Sequence, residues 1–231
     1  MCDQREGVVM KESYLTPENI DVKSKKWFQR LAPYREKHKM EFQHSNSALL
    51  VIDMQRYFLN GRSHAYIPSA PAILPKLVGL TNAFLKSNLA VFMTRHIDEQ
   101  GTNSAMKRWW KELITEHDIL SEIVPELRFP KAIVLRKSQY DAFYLTPLEK
   151  LLRERGIEQV VITGVMTHLC CETTARSAFV RGFDVLFAID GTATYNEDFH
   201  WATLNSLSHG FATPVLCEEL MDRMGVSSDN P

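Results

Sequence analysis

Six short apolar runs, separated by longer stretches with helical periodicity, set what this 231-residue chain can fold into. They span residues 47–54, 89–94, 132–135, 159–163, 184–189 and 214–216. The first reads SALLVIDM: apolar on consecutive positions rather than alternate ones, as a strand buried on both faces of a parallel sheet does. Residues 69–88, 146–155, 168–181 and 199–209 read as helices, and 105–115, with Trp109 and Trp110, as an irregular helical insert. Pro147 suits a first helical position, Gly156, Gly182 and Gly210 suit helix ends, and Asp198 is placed to cap a helix start. Strands alternating with helices imply an α/β chain, a parallel sheet with helices on both faces. In such sheets the ligand site lies beyond the carboxyl ends of the strands.

Composition narrows the partners. At 45% hydrophobic and 24% charged residues, the chain has enough apolar content for one ordinary domain, expected over 46–231. The formal net charge of -1 and the lack of a basic stripe argue against nucleic acid. No apolar run approaches a membrane span, and the N-terminus has no signal-peptide pattern. Cys2, Cys170, Cys171 and Cys217 make a poor disulfide framework and contain no Cys-x-x-Cys pair, so a reducing, cytoplasmic setting is expected. Residues 1–45 read as an extension. Within it Trp27, Phe28, Leu31 and Tyr34 are spaced about one helical turn apart, which suits either a short helix packed on the domain or a second subunit, or a frayed charged arm.

The strand-end rule gathers three chemically able residues. Strand one ends at Asp53, strand three at Lys137, and strand four just before the turn that carries Cys170. Alone, an Asp at a strand end is a turn or cap residue and a Lys is a solvated edge. Together, an acid, an ammonium and a thiol suit nucleophilic catalysis, with the carboxylate accepting the thiol proton. A thiol at a helix N-terminus also feels the positive end of the helix dipole, which favours its thiolate. Cys171 shares a helical face with Ala175, Ala178 and Phe179 and reads as packing. Cys170 lies roughly 100° around the helix, on the side of Thr173, Thr174 and Ser177, and reads as the exposed thiol.

Three blocks carry a resemblance: LLVIDMQRYF at 49–58, VLRKSQYDAFYLTPLEKLLRERGI at 134–157 and VVITGVMTHLCCETTARSAFVRGFDVLFAIDGTAT at 160–194. In order and spacing they resemble the isochorismatase-like cysteine hydrolase superfamily, over about residues 47–217. The resemblance implies a three-layer, doubly wound, mostly parallel six-stranded sheet. It also implies Asp53 as general base, Lys137 as its charge partner and Cys170 as nucleophile, with a cis peptide at 165–166 and the Met166 and Cys170 amides as oxyanion donors. Members are commonly dimers or tetramers. Two departures stand out: His168 replaces the usual acid or asparagine, and Cys171 the usual valine. His168 reads either as a substrate contact or, in the reading preferred here, as a partly exposed hydrogen-bonding residue. Nicotinamidase-type members bind a metal through an Asp-x-His and a second His. The matching stretch at 60–66 has no acid, and His96 alone is a poor metal site. No metal, no other cofactor and no nicotinamidase activity are therefore expected.

Phe58, Trp109, Tyr140 and Phe143, with His168, are the candidate walls of a small-molecule pocket. For Trp110 a core or interface role is preferred. Arg95 and Arg136 are candidates for a substrate carboxylate. The leading expectation is hydrolysis of a small amide, carbamoyl or ureido C–N bond through a thioester. The DMQRYF block and the long extension also resemble the true isochorismatases, so vinyl ether cleavage with Asp53 as acid is an alternative. A non-catalytic partner-binding role is another, and the three assembled groups argue against it. A Cys170–Cys171 disulfide would be strained.

Overall fold

The computed structural model describes residues 10–38, 40–98, 105–110 and 112–226. Cys2 and the first residues of the extension lie outside them. Six strands form one sheet: β1 (Ser47–Ile52), β2 (Ala90–His96), β3 (Ile133–Lys137), β4 (Gln159–Val165), β5 (Asp184–Ala193) and β6 (Thr213–Val215). Their order is β3-β2-β1-β4-β5-β6, and every neighbouring pair is parallel. The central strands β1 and β4 are buried at every position, which is why their sequences run apolar without alternating.

Eight α-helices are described: α1 (Ile20–Lys37), α2 (Arg56–Leu59), α3 (Ala70–Lys86), α4 (Ala105–Trp110), α5 (Leu148–Arg153), α6 (Glu172–Val180), α7 (Glu197–Gly210) and α8 (Cys217–Arg223). Because parallel crossovers are right-handed, α3, which leads from β1 out to β2, lies on one face. The crossovers through α5, α6 and α7 run the other way across the sheet and lie on the opposite face. α8 packs against α3, and α1 packs on α7, β5 and β6. The result is three layers. The order of strands reverses between β1 and β4, and the crevice beyond their carboxyl ends is where such sheets bind ligands.

Several local expectations are corrected. The segment expected as a helix from His168 opens instead with a π-helical turn, Thr167–Cys171, and α6 follows. The cap of α7 is Asn196, whose side chain accepts from the Phe199 amide, rather than Asp198. Both β2 and β3 run two residues further than the apolar runs alone suggest, which makes Lys137 the last residue of β3. The α2 and α8 segments were not read as helices: four and seven residues are too few for periodicity to show. The extension forms a helix, anchored by buried Ile20, Trp27 and Leu31.

β1 and β4 approach each other closely at their carboxyl ends. Ile52 pairs with Gly164, whose φ is 104°, and a Cβ there would sit 2.0 Å from the Ile52 carbonyl oxygen. Only glycine tolerates both the angle and the approach. Gly164→Ala is therefore expected to destabilise the protein by roughly 3 kcal/mol or more through combined strain and overpacking. A fall in the urea-unfolding midpoint at unchanged slope checks it.

Candidate active site

The crevice between β1 and β4 brings Asp53, Lys137 and Cys170 into contact. Asp53 follows β1 in a left-handed conformation, φ 48°, a region that short polar side chains tolerate. Lys137 reaches over from the end of β3, past β2. Its Nζ lies 2.7 Å from Asp53 Oδ2 and 3.4 Å from Cys170 Sγ. It also donates to the Gln139 carbonyl at 2.8 Å. The other carboxylate oxygen, Asp53 Oδ1, accepts from the Thr94 hydroxyl at 2.7 Å, and the Asp53 amide donates back to that hydroxyl at 3.0 Å. Both members of the ion pair have side chains with 0% exposure, so their charges are sustained by each other and not by water. Burial opposes the charge on Lys137, but Asp53 and Cys170 beside it prevail and hold its pKa above the ordinary value.

Burial also dominates at the thiol. It pushes the Cys170 pKa up to about 12, with Lys137 pulling down and Asp53 pushing up. The resting residue is thus a neutral thiol, and the thiolate expected from the helix start alone is not the ground state. Cys170 faces the crevice, whereas Cys171 has no exposure and points its Sγ at the Thr163 carbonyl, 3.7 Å away. The Val165–Met166 peptide between β4 and this turn is cis. The Met166 carbonyl accepts from the amides of Leu169 at 3.1 Å and Cys171 at 3.2 Å, the latter closing the π-helical turn.

Beneath the thiol turn lies a buried polar layer that was not read from the sequence. His200 Nδ1 hydrogen-bonds the Thr167 hydroxyl at 3.0 Å. Its ring sits 4.9 Å from that of Trp27 and 5.4 Å from that of Tyr14. The Tyr14 hydroxyl accepts from the Thr194 amide at 3.0 Å, and the Thr194 hydroxyl pairs with His168 Nδ1 at 2.5 Å. Burial lowers the pKa of His168 to about 4 and that of His200 to about 3, so both are neutral near neutrality.

Above the thiol opens a cavity of about 780 Å³. Of the expected wall residues, Phe58, Trp109, Tyr140 and His168 line it, together with Met166 and Cys170. His168 stacks on Phe199 at 4.4 Å, so it is a wall residue as well as a hydrogen-bonding one. Trp110 also lines it and donates from its indole to the Tyr140 hydroxyl at 2.6 Å. Phe143 does not belong to the lining: it stacks on Phe183 at 5.9 Å beneath the Arg181 guanidinium, in the core. The two arginines are also elsewhere. Arg95 donates to the Ser121 carbonyl and hydroxyl, and Arg136 pairs with Glu116. At the far end Lys11, Tyr57, His64 and Glu112 join the wall. Lys11 comes from the extension, with its Nζ donating to the His64 carbonyl and lying over the Tyr195 ring. Among the described residues no cluster of three or more His, Cys, Asp or Glu is placed to hold a metal ion. No described helix is long and apolar enough to cross a membrane.

Three polar groups from three strand ends, set at the switch point of a doubly wound parallel sheet under an apolar cavity, make this crevice the candidate active site of an α/β enzyme. The model of the isochorismatase domain matches residues 47–219, and the chain belongs to that family as a hydrolase. It is 39% identical over 180 residues to "Nicotinamidase 3" of Arabidopsis thaliana, covering 75% of this chain and 86% of that one. It is 32% identical over 143 residues to "Ureidoacrylate amidohydrolase RutB" of Enterobacter sp. (strain 638), covering 62% and 55%. A cysteine hydrolase from Pseudomonas syringae pv. phaseolicola 1448A superposes with a TM-score of 0.78 at 22% identity, covering 81% of this chain and 96% of that one, and shares the fold.

The two buried histidines set an acid limit. Their folded pKa values lie below the ordinary 6.5, so their contribution is present above that value and is lost as pH falls toward about 4 for His168 and about 3 for His200. Unfolding free energy should drop by up to about 1.4 kcal/mol per pH unit for each histidine across that window. Urea titrations at stepped pH check it, and His168→Asn should flatten the slope.

Proposed function

We propose that this protein is a cysteine hydrolase that cleaves a C–N bond of a small amide, carbamoyl or ureido compound through a thioester. The observation that carries the reading is the contact of Lys137 with both Asp53 and Cys170 at the floor of the cavity. Asp53 accepts the thiol proton as Cys170 Sγ attacks the substrate carbonyl carbon. The resulting oxyanion is met by the Met166 and Cys170 amides. Collapse breaks the C–N bond, and Asp53 returns the proton to the departing nitrogen. Water, deprotonated by the same carboxylate, then cleaves the thioester and restores the thiol. Lys137 keeps the site charged while Asp53 alternates between states, and it stabilises the transient thiolate. The names of the nicotinamidase and ureidoacrylate amidohydrolase relatives support amide chemistry.

Nicotinamide belongs among the substrates tested, against the expectation from the missing metal pattern, because the 39% relative bears that name. Vinyl ether cleavage with Asp53 as acid is a second reading, favoured by the family's own name. Assembly as a homodimer or homotetramer, and a cytoplasmic setting, belong to the same proposal.

The test is a screen of small amides, carbamoyl and ureido compounds, nicotinamide and isochorismate, following ammonia and pyruvate release. Cys170→Ala should lower kcat/KM for the amide substrate by roughly 10⁴-fold or more while leaving the unfolding midpoint nearly unchanged. Pyruvate release that survives Cys170→Ala would transfer the assignment to the second reading.

A further inference from the structure

The Lys137 ammonium has three N–H donors but four acceptors around it. Asp53 Oδ2 and the Gln139 carbonyl are near, at 2.7 and 2.8 Å. Two further acceptors stand at equal distance: Cys170 Sγ and His96 Nδ1, each 3.4 Å from Nζ. His96 is the last residue of β2 and is buried, with its ring carrying a second partner. Its Nε2 lies 3.2 Å from Asp98 Oδ1, and Asp98 is itself pinned by the Ile114 amide, which donates to Oδ2 at 2.7 Å. The His96 backbone is clamped on both sides by the Gln55 side chain, which accepts from its amide at 2.8 Å and donates to its carbonyl at 2.9 Å.

A carboxylate against Nε2 fixes the tautomer: Nε2 carries the proton and donates to Asp98, and Nδ1 presents a lone pair to Lys137. We propose that His96 and Asp98 form a positioning pair that competes with Cys170 for the third ammonium proton. In the resting enzyme that ammonium N–H points at His96 Nδ1, and the thiol keeps its own proton. As Cys170 ionises during attack, the ammonium turns that N–H from Nδ1 to the new thiolate. No bond is made or broken in this turn; one hydrogen bond is exchanged for another. Neither His96 nor Asp98 needs to touch substrate for this role. Its significance rests on Cys170 being the nucleophile, but the competition itself is a property of the resting site.

The charged and titratable groups around the exchange are Asp53, Lys137, Cys170, Cys171, Tyr140, His96 and Asp98. His96→Leu deletes the competing acceptor. His96→Gln keeps an amide oxygen for Lys137 and an N–H for Asp98 at the same net charge. The readout is the pH profile of Cys170 alkylation by iodoacetamide, followed on the Cys170-bearing peptide by mass spectrometry, with Cys170→Ala as the blank. His96→Leu should move the profile about one pH unit down, so that alkylation at pH 8 rises about threefold to tenfold after the lower nucleophilicity of a more acidic thiol is allowed for. His96→Gln should restore the wild-type profile. Coincident profiles for Leu and wild type, or equal shifts for Leu and Gln, would overturn the proposal. So would slower alkylation in the Leu variant. If His96→Leu does not fold, ¹⁵N shifts of the histidine ring in the wild-type protein decide: a proton on Nε2 alone supports the pair, and a proton on Nδ1 defeats it. Alkylation requires no turnover, so this outcome is separable from the substrate screen.

Discussion

A lysine side chain with no exposure to water stays charged only where protein charges replace the solvent it has lost. That condition governs this molecule. Lys137 meets Asp53 at 2.7 Å with both side chains fully enclosed, and neither could be kept there alone. Removing one partner of such a pair leaves an uncompensated buried charge, typically at a cost of about 3–5 kcal/mol. The pair therefore ties the end of β3 to the end of β1, across the intervening β2. It fixes the rim at which Cys170 is presented. What the fold contributes is the spacing: strand ends about one side-chain length apart, in an order that places β1 and β4 side by side at the reversal point.

The same enclosure that strengthens the ion pair keeps the thiol protonated. Helix-start chemistry and a neighbouring ammonium both favour a thiolate, yet burial outweighs them and pushes Cys170 to about 12. The consequence is mechanistic. In the proposed mechanism a pre-formed thiolate would leave Asp53 no proton to accept, whereas a neutral thiol makes the carboxylate necessary to the attack and gives it the proton that the leaving nitrogen requires.

Much of this was legible in the chain. The strand runs, their parallel arrangement and the convergence of Asp53, Lys137 and Cys170 follow from apolar patterning and one rule about strand ends. Cys171 packs in the core as helix geometry suggested, but Cys170 is not the exposed thiol expected: it too is buried, at the floor of the cavity, on a turn that proved to be π-helical. Less legible were the contacts that depend on register. Thr94, His96 and Asp98 alternate along and just beyond β2, and two of them meet the Lys137–Asp53 pair only because β2 lies between β1 and β3. His96 was read as following the apolar run 89–94 and weighed only as a metal ligand, so its contact with Lys137 was missed. Phe143 had the composition of a pocket wall but sits over Phe183 in the core, since sequence proximity to Tyr140 says nothing about which way a side chain turns.

The extension shows why a domain boundary drawn from a family match is not a boundary of function. The match begins at residue 47, yet the layer under the thiol turn is completed from outside it. Trp27 and Tyr14 enclose His200, which holds Thr167; Tyr14 also accepts from Thr194, which holds His168 on the cavity wall. Without that segment, His200 would lose part of the burial that holds its pKa down. The turn that presents Cys170 is thus backed by two aromatic rings from the segment before the first strand, Trp27 on α1 and Tyr14 ahead of it. The cavity takes a further wall residue, Lys11, from the same segment. A helix read as packing on the domain or on a second subunit does pack on the domain, against α7, β5 and β6, and covers the polar layer beneath the thiol turn.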